Sequence, residues 1–343
     1  MNIIVFKLAP LGDTVMLLPV VQTLRRLHPD WRVTVFATPA TAEIFRETVP
    51  SADLIVVESV ELKRSWRRPW RFWSWWRRIR GLRPDAVLLS YDQSSVARFL
   101  AGASGARVRA GGAGSAIRWQ GGLTHSLGKN PAHSLAEWDW AIAGAMMAAL
   151  SQPWPDLPPP PVLAPASRRK GSSGRPRVVI HAGASREYQR WLPDRFTALA
   201  QALARDCDVV WVAREEVSVA APAGIEVFPP AGLDSLVRLL AGVDLFVGNH
   251  SGAFHLAAAL GIKCVVIAGP SPLACDPPWH REHHRILRAP GLACLPCEQL
   301  SVTVDICRNF ATPMACMKHW RVEAVEMVCR DALRASAGGT ASS

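Results

Sequence analysis

No run of apolar residues in this 343-residue chain is long enough to cross a bilayer. The opening stretch, MNIIVFKLAPLGD, has neither the charged leader nor the cleavage site of a secretory signal. A cytoplasmic protein is therefore expected. Internal repeats at short period are also missing. Acidic charge is scarce: 28 Asp and Glu stand against 39 Lys and Arg, a net charge of +11 with a pI near 9.8. Such a balance points to anionic partners: nucleotides, phosphorylated lipids, nucleic acid or a membrane surface. Eight cysteines in a cytosolic chain do not make a disulfide framework. Hydrophobic content of 49% with 20% charged residues is that of a folded protein, and the length suits two domains.

Apolar runs alternate with helical patterns in the first half. Strands are expected at residues 2–8, 31–37, 53–57 and 85–90, with helices at 13–27 and 40–48. Residues 151–177 are rich in proline and then in Gly, Ser and basic residues, the composition of an interdomain linker, or else of one long surface loop. The alternation restarts with strands at 177–181, 208–213, 244–248 and 264–268 and helices at 193–204 and 233–241. The expected layout is an acceptor-binding Rossmann-like domain at 1–152, a linker at 153–176 and a nucleotide-sugar-binding domain at 177–335. A disordered tail follows at 336–343, and the last helix is a candidate to pack back on the first domain. Strands separated by helices imply parallel sheets, and ligands of such α/β folds bind at the carboxyl ends of the strands.

Three strands end in polar turns that open a helix: KLAPLGDTVMLLP, HAGASREYQRWLP and GNHSGAFHL. Unpaired N–H groups and the helix dipole stabilise anions at such starts. Ser251 and Gly252 would let a phosphate approach the backbone closely, so this turn reads as a diphosphate seat. Asp13 reads either as a helix N-cap or as a general base toward an acceptor hydroxyl.

The three motifs, in this order and at these separations, resemble the bacterial heptosyltransferases of glycosyltransferase family 9. The resemblance runs from Asn2 to about Ala332 and is thin between Val60 and Trp154. It implies an α/β fold of two Rossmann-like domains facing across a cleft (the GT-B arrangement), an ADP-heptose donor held mainly by the second domain, and inversion at the sugar carbon. It also implies that Asp13 is the catalytic base, with Lys7 and Gly12 on the acceptor side. The donor side comprises Ala184, Ser185, Arg186, Gln189, Arg190, Asn249, His250, Ser251, Gly252 and His255. Two positions depart from the family pattern. His250 stands where an aspartate precedes [TS]-G, and Gln189 stands where a lysine is common. The first change removes a carboxylate that could bind sugar hydroxyls. The second removes a cation for the diphosphate, which Arg186 or Arg190 could supply.

Residues 63–80, KRSWRRPWRFWSWWRRIR, combine indole rings with guanidinium groups. That mixture suits an interfacial segment on anionic lipid, with Arg67, Arg68, Arg71 and Trp73 as acceptor or membrane contacts. The alternatives are a surface helix whose aromatics pack on the sheet, or base stacking. No nucleic-acid fold accompanies the stretch, so no nucleic-acid partner is expected. Arg98, Arg107, Arg109 and Arg118 flank a Gly-rich tract that in the family faces the acceptor; Arg98 and Arg118 are assigned to that side.

Cys294, Cys297, Cys307 and Cys316 form one C-x-x-C pair followed by two spaced cysteines. They could hold a structural zinc or iron, or remain reduced thiols. No cofactor is required for catalysis. The resulting expectation is an inverting transferase on the inner face of the bacterial inner membrane. It would move a heptose, or a related sugar, to a lipopolysaccharide core or a similar anionic lipid-linked acceptor. A protein acceptor, or a non-catalytic sugar-nucleotide- or membrane-binding protein, is the alternative.

Overall fold

The computed structural model describes residues 1–91, 93–113, 121–130, 132–163, 174–212, 221–298 and 306–337. The chain divides into two compact units. One comprises Met1–Val162 with Leu273–Pro278, and the other comprises Leu163–Pro272 with Trp279–Ser343.

In the first unit the elements are β1 (Asn2–Lys7), α1 (Leu11–Leu27), β2 (Arg32–Ala37), β3 (Leu54–Val56), α2 (Ser59–Arg64), α3 (Pro69–Gly81), β4 (Ala86–Leu89), α4 (Ser95–Gly102), β5 (Val108–Ala113), β6 (His125–Gly128) and α5 (Leu135–Ala149). Its six strands pair in the order β3-β2-β1-β4-β5-β6, all parallel. Continuous apolar runs, IIVF within β1 and AVLL in β4, are what a sheet covered on both faces demands. The expected helix at 40–48 is only a short 3₁₀ turn at Ala42–Phe45. β5 and β6 were not expected, because glycines (VRAGGA, HSLG) hide their strand character.

The second unit contains β7 (Arg177–His181), α6 (Pro193–Leu203), β8 (Asp208–Val212), β9 (Glu226–Phe228), α7 (Leu233–Ala241), β10 (Leu245–Asn249), α8 (Gly252–Ala259), β11 (Lys263–Ile267), β12 (His284–Leu287), α9 (Ala315–Lys318) and α10 (Val322–Ala337). Its parallel order is β12-β11-β10-β7-β8-β9. Counted from the first strand of each unit, both sheets have the doubly wound order 3-2-1-4-5-6. The order reverses between β1 and β4 in one unit and between β7 and β10 in the other. Turns that leave those strands at their carboxyl ends flank a ready-made ligand crevice.

The proline-rich run is not free linker at its start. Trp154 packs tilted against Trp140 with ring centroids 4.5 Å apart, the Trp140 indole donates to the Pro155 carbonyl, and Val162 exchanges two hydrogen bonds with Gln22 of α1. The helix α10 packs on α6 and β11 of its own unit, with Val325 and Cys329 fully buried there. The rest of the linker (164–173) and residues 338–343 lie outside the described residues.

β7 and β10 approach closely because residue 248 is glycine: a Cβ there would sit 2.7 Å from the His181 carbonyl oxygen. Gly248→Ala should therefore cost about 1–3 kcal/mol in denaturant unfolding, as overpacking against a central strand does. An unchanged unfolding midpoint would contradict this register.

Candidate active site

In the first unit, β1 delivers the chain into Leu8-Ala9-Pro10, and α1 starts at Leu11 with Pro10 as its N-cap. Asp13 is thus the third helical residue and not the cap. Within that first turn the helix dipole favours its carboxylate. The side chain is held from across the switch point: the Tyr91 hydroxyl, just past β4, donates to Asp13 Oδ1 at 2.9 Å. Tyr91 is itself fixed. Its ring stacks on Trp138 at 5.3 Å, and its backbone N–H donates to Asp139 at 3.1 Å. A Cβ on Gly112 would meet the Tyr91 Cα at 2.8 Å, so only glycine leaves room for it.

Behind Tyr91 lies a buried ionic group. Lys7 Nζ donates to Ser90 Oγ at 2.6 Å and lies 3.5 Å from Asp139 Oδ2, and both ionic side chains are fully buried. Ser90 Oγ lies 2.8 Å from each Asp139 oxygen. The ammonium also sits 4.5 Å from the centroid of the Tyr91 ring. Asp139 is placed by α5, whose start carries a reciprocal cap between Ser134 and Glu137. Lys7, expected on the acceptor side, is therefore enclosed and serves to hold this group together. Arg98 is likewise fully buried, its guanidinium donating to the Gly112 carbonyl, and burial pushes its pKa down. Gly12 is buried beside Asp13, and Arg118 lies outside the described residues.

In the second unit, the turn after β10 runs His250-Ser251 into α8. Ser251 is the N-cap, with extended backbone and no side-chain capping bond. Its hydroxyl is buried without a hydrogen-bond partner among the described residues. An orphaned donor beside the open N–H groups of a helix start is what an anionic ligand would complete. His250 and His255 meet edge to face at 5.3 Å, and His255 is 4% exposed.

Asn249, expected to touch the donor, is fully buried and braces two turns instead. Its Oδ1 accepts from the Trp191 N–H at 2.8 Å, and its Nδ2 donates to the Ala182 carbonyl at 2.8 Å. That fixes the turn after β7, where Ala184 and Ser185 lie. Arg190 Nε then bonds the Ala184 carbonyl at 2.9 Å. Gln189 accepts from the Arg186 N–H at 3.1 Å and donates to Glu298 Oε1 at 2.5 Å. Tyr188 donates to the same oxygen at 2.7 Å, and burial, with Glu298 adding to it, raises its phenol to about 12. The amide at position 189 is thus spent on Glu298.

Sequence reasoning missed Tyr91, Asp139, Tyr188 and Glu298. One signal was available: the chain has only two tyrosines, and each stands at one of the two strand-order reversals.

The family model for glycosyltransferase family 9 (heptosyltransferase) matches residues 72–302, more than half of the chain. The chain belongs to that family. Lipooligosaccharide heptosyltransferase 2 of Campylobacter jejuni is 37% identical over 67 residues, a stretch spanning 20% of this chain and 21% of that relative. E. coli ADP-heptose LPS heptosyltransferase II superimposes with a TM-score of 0.70 at 20% identity, over 98% of this chain and 100% of that one. E. coli heptosyltransferase WaaC with ADP gives 0.71 at 15% identity, over 97% and 100%. The iron-containing dodecameric glycosyltransferase TibC of enterotoxigenic E. coli gives 0.60 at 17% identity, over 98% and 76%. The fold, two parallel six-stranded α/β units, is that of the GT-B heptosyltransferases.

The aromatics of the Trp–Arg stretch divide between packing and exposure. Phe72, Trp75, Trp76 and Ile79, at helical spacing along α3, lie against the core, and the Trp76 indole donates to the Ala103 carbonyl at 3.1 Å. On the outer side Trp66, Trp70 and Trp73 are 62%, 69% and 56% exposed. Arg64, Arg67, Arg68 and Arg71 line a concavity of about 540 Å³, with Glu61 lying 3.7 Å from Arg71.

Cys294, Cys297, Cys307 and Cys316 are free thiols. Burial, reinforced by the other three, raises Cys297 to about 11, and burial also raises Cys316. The Met314 N–H points at Cys307 Sγ at 3.4 Å and the Asn309 amide at Cys294 Sγ at 3.7 Å, as donors do around thiolates. The donor set fits zinc or iron. Among the described residues the four sulfurs do not form a group within 4.8 Å of one another, so a bound ion would draw them inward.

Proposed function

We propose that the protein is an inverting glycosyltransferase moving a heptose, or a related sugar, from a nucleoside diphosphate, by resemblance ADP-heptose, to a lipopolysaccharide inner core or a similar anionic lipid-linked acceptor. The observation that carries this reading is the orphaned Ser251 hydroxyl at the start of α8, inside a motif of the matching family. Asp13 takes the proton of the acceptor hydroxyl. The freed oxygen attacks the anomeric carbon from the face opposite the diphosphate, and the bond from that carbon to the phosphate oxygen breaks with inversion. The leaving charge falls to the Gly252 helix start, the Ser251 hydroxyl and Arg186 or Arg190. Asn249 and Gln189 keep the turns around it in place.

Titration calorimetry with ADP tests the seat. Ser251→Ala should weaken ADP binding by about tenfold, the value of one hydrogen bond to a charged group. Equal affinity would remove Ser251 from the site. Binding of ADP and ADP-heptose with no transfer to any acceptor would favour a non-catalytic carrier, the reading that the engagement of Gln189 by Glu298 also allows.

Trp66, Trp70 and Trp73 beside the arginine-lined concavity support attachment to the anionic inner face of the inner membrane. Replacing Arg67, Arg68 and Arg71 by alanine should weaken binding to phosphatidylglycerol vesicles by on the order of 100-fold, from about 1 kcal/mol per basic residue. Undiminished sedimentation with vesicles would exclude this face. Cys294, Cys297, Cys307 and Cys316 would hold a structural zinc or iron ion, supported by their donor chemistry and by the iron-containing TibC neighbour. Such an ion would pin the segment that carries Glu298.

A further inference from the structure

Between β11 and β12 the chain reads Trp279-His280-Arg281-Glu282-His283-His284. His280 adopts a left-handed backbone (φ 52°, ψ 35°), a conformation that costs energy for a non-glycine residue and persists only where its surroundings impose it. A 3₁₀ turn at Arg281–His283 follows, closed by the His283 N–H donating to the His280 carbonyl at 2.8 Å. The turn stacks the imidazoles of His280 and His283, with centroids 5.6 Å apart and planes within 8°. It also sets Glu282 Oε1 3.6 Å from His283 Nε2. One ligand atom from each of His280, Glu282 and His283 lies within 4.8 Å of the other two.

We propose that His280, Glu282 and His283 bind a divalent transition-metal ion of the zinc type, at a site separate from the four cysteines and from the donor seat. Two imidazoles and one carboxylate form the nitrogen and oxygen donor set of zinc, cobalt or nickel; calcium and magnesium require oxygen donors. To place three protein ligands about 2.0–2.2 Å from a common centre, the two stacked rings turn their ring nitrogens toward Glu282, and the set leaves a coordination position open. The site has a structural consequence. His280 lies against Gly261 just beyond α8, and His284, the residue after His283, packs edge-on to Phe254 within α8. An ion here would clip the β11–β12 connection in the shape that backs α8.

The test uses untagged, reduced full-length protein titrated with cobalt(II), which reports its ligands in its absorption. Besides the sulfur-bound cobalt that the four cysteines would take, one further equivalent is expected, with ligand-field bands and no sulfur-to-metal charge transfer of its own. This equivalent should persist in Cys294→Ser/Cys297→Ser and vanish in His280→Ala/His283→Ala. Glu282→Gln should weaken it at least tenfold. The metal-free histidine variants should keep the wild-type circular dichroism and melting temperature, since the side chains are partly or fully exposed. Wild-type protein that takes up only sulfur-bound cobalt would overturn the proposal. So would a double histidine variant that binds as the wild type does, or uptake only at millimolar cobalt, which is an adventitious ion only.

Discussion

Asp13→Asn lowers kcat for sugar transfer by about 10²- to 10⁴-fold, the range lost with a general base, and leaves ADP affinity unchanged. Asparagine has the volume of aspartate and keeps an oxygen to accept from Tyr91, so the 2.9 Å hydrogen bond and the turn survive. What it lacks is a carboxylate to take the acceptor's proton. Since the proposed donor site draws on the other unit's turns, ADP titration is the internal control: a variant that binds ADP as the wild type does has retained its second unit. Steady-state transfer assays with saturating donor measure the loss. Transfer at the wild-type rate would end the assignment of Asp13 as base.

Asp139→Ala costs about 3–5 kcal/mol of unfolding free energy, because it removes the carboxylate that lies 3.5 Å from the fully buried Lys7 ammonium. Most of that loss returns in the double variant Lys7→Met/Asp139→Leu, which removes both charges from the same fully buried space. Urea denaturation of the two variants against wild type separates these effects. Restored stability with reduced kcat would show what the ionic group contributes beyond folding: it anchors the Tyr91 backbone and so aims the hydroxyl that holds Asp13. A single variant as stable as wild type would mean that Lys7 has another compensating partner.

The parallel alternation was legible because NIIVFK, DVVWV and LFVGN each carry an unbroken apolar run, as doubly covered strands do. The glycine-rich β5 and β6 were not, since their place is set by neighbours such as Tyr91 and Leu123 packing over Gly112 and Gly111. The helix starts carrying Asp13 and Ser251 could be read from local motif. Everything that orients them came from elsewhere in the chain: Tyr91 is 78 residues from Asp13, and Glu298 is 109 residues from Gln189. Lys7 and Arg98 were expected on the acceptor side, although basic residues are buried only where they are paired. Their burial depends on Asp139 and on the Gly112 carbonyl, pairings that no spacing in the sequence announces. The Trp–Arg stretch was ambiguous for a simple reason: it does two things, with one stripe in the core and the other in solvent.

A structure of the protein with ADP bound tests the seat on which the donor assignment depends. The β-phosphate should lie within hydrogen-bonding distance of the Gly252 backbone N–H and the Ser251 hydroxyl. A diphosphate held at any other turn, with that hydroxyl still unpartnered, would contradict the account.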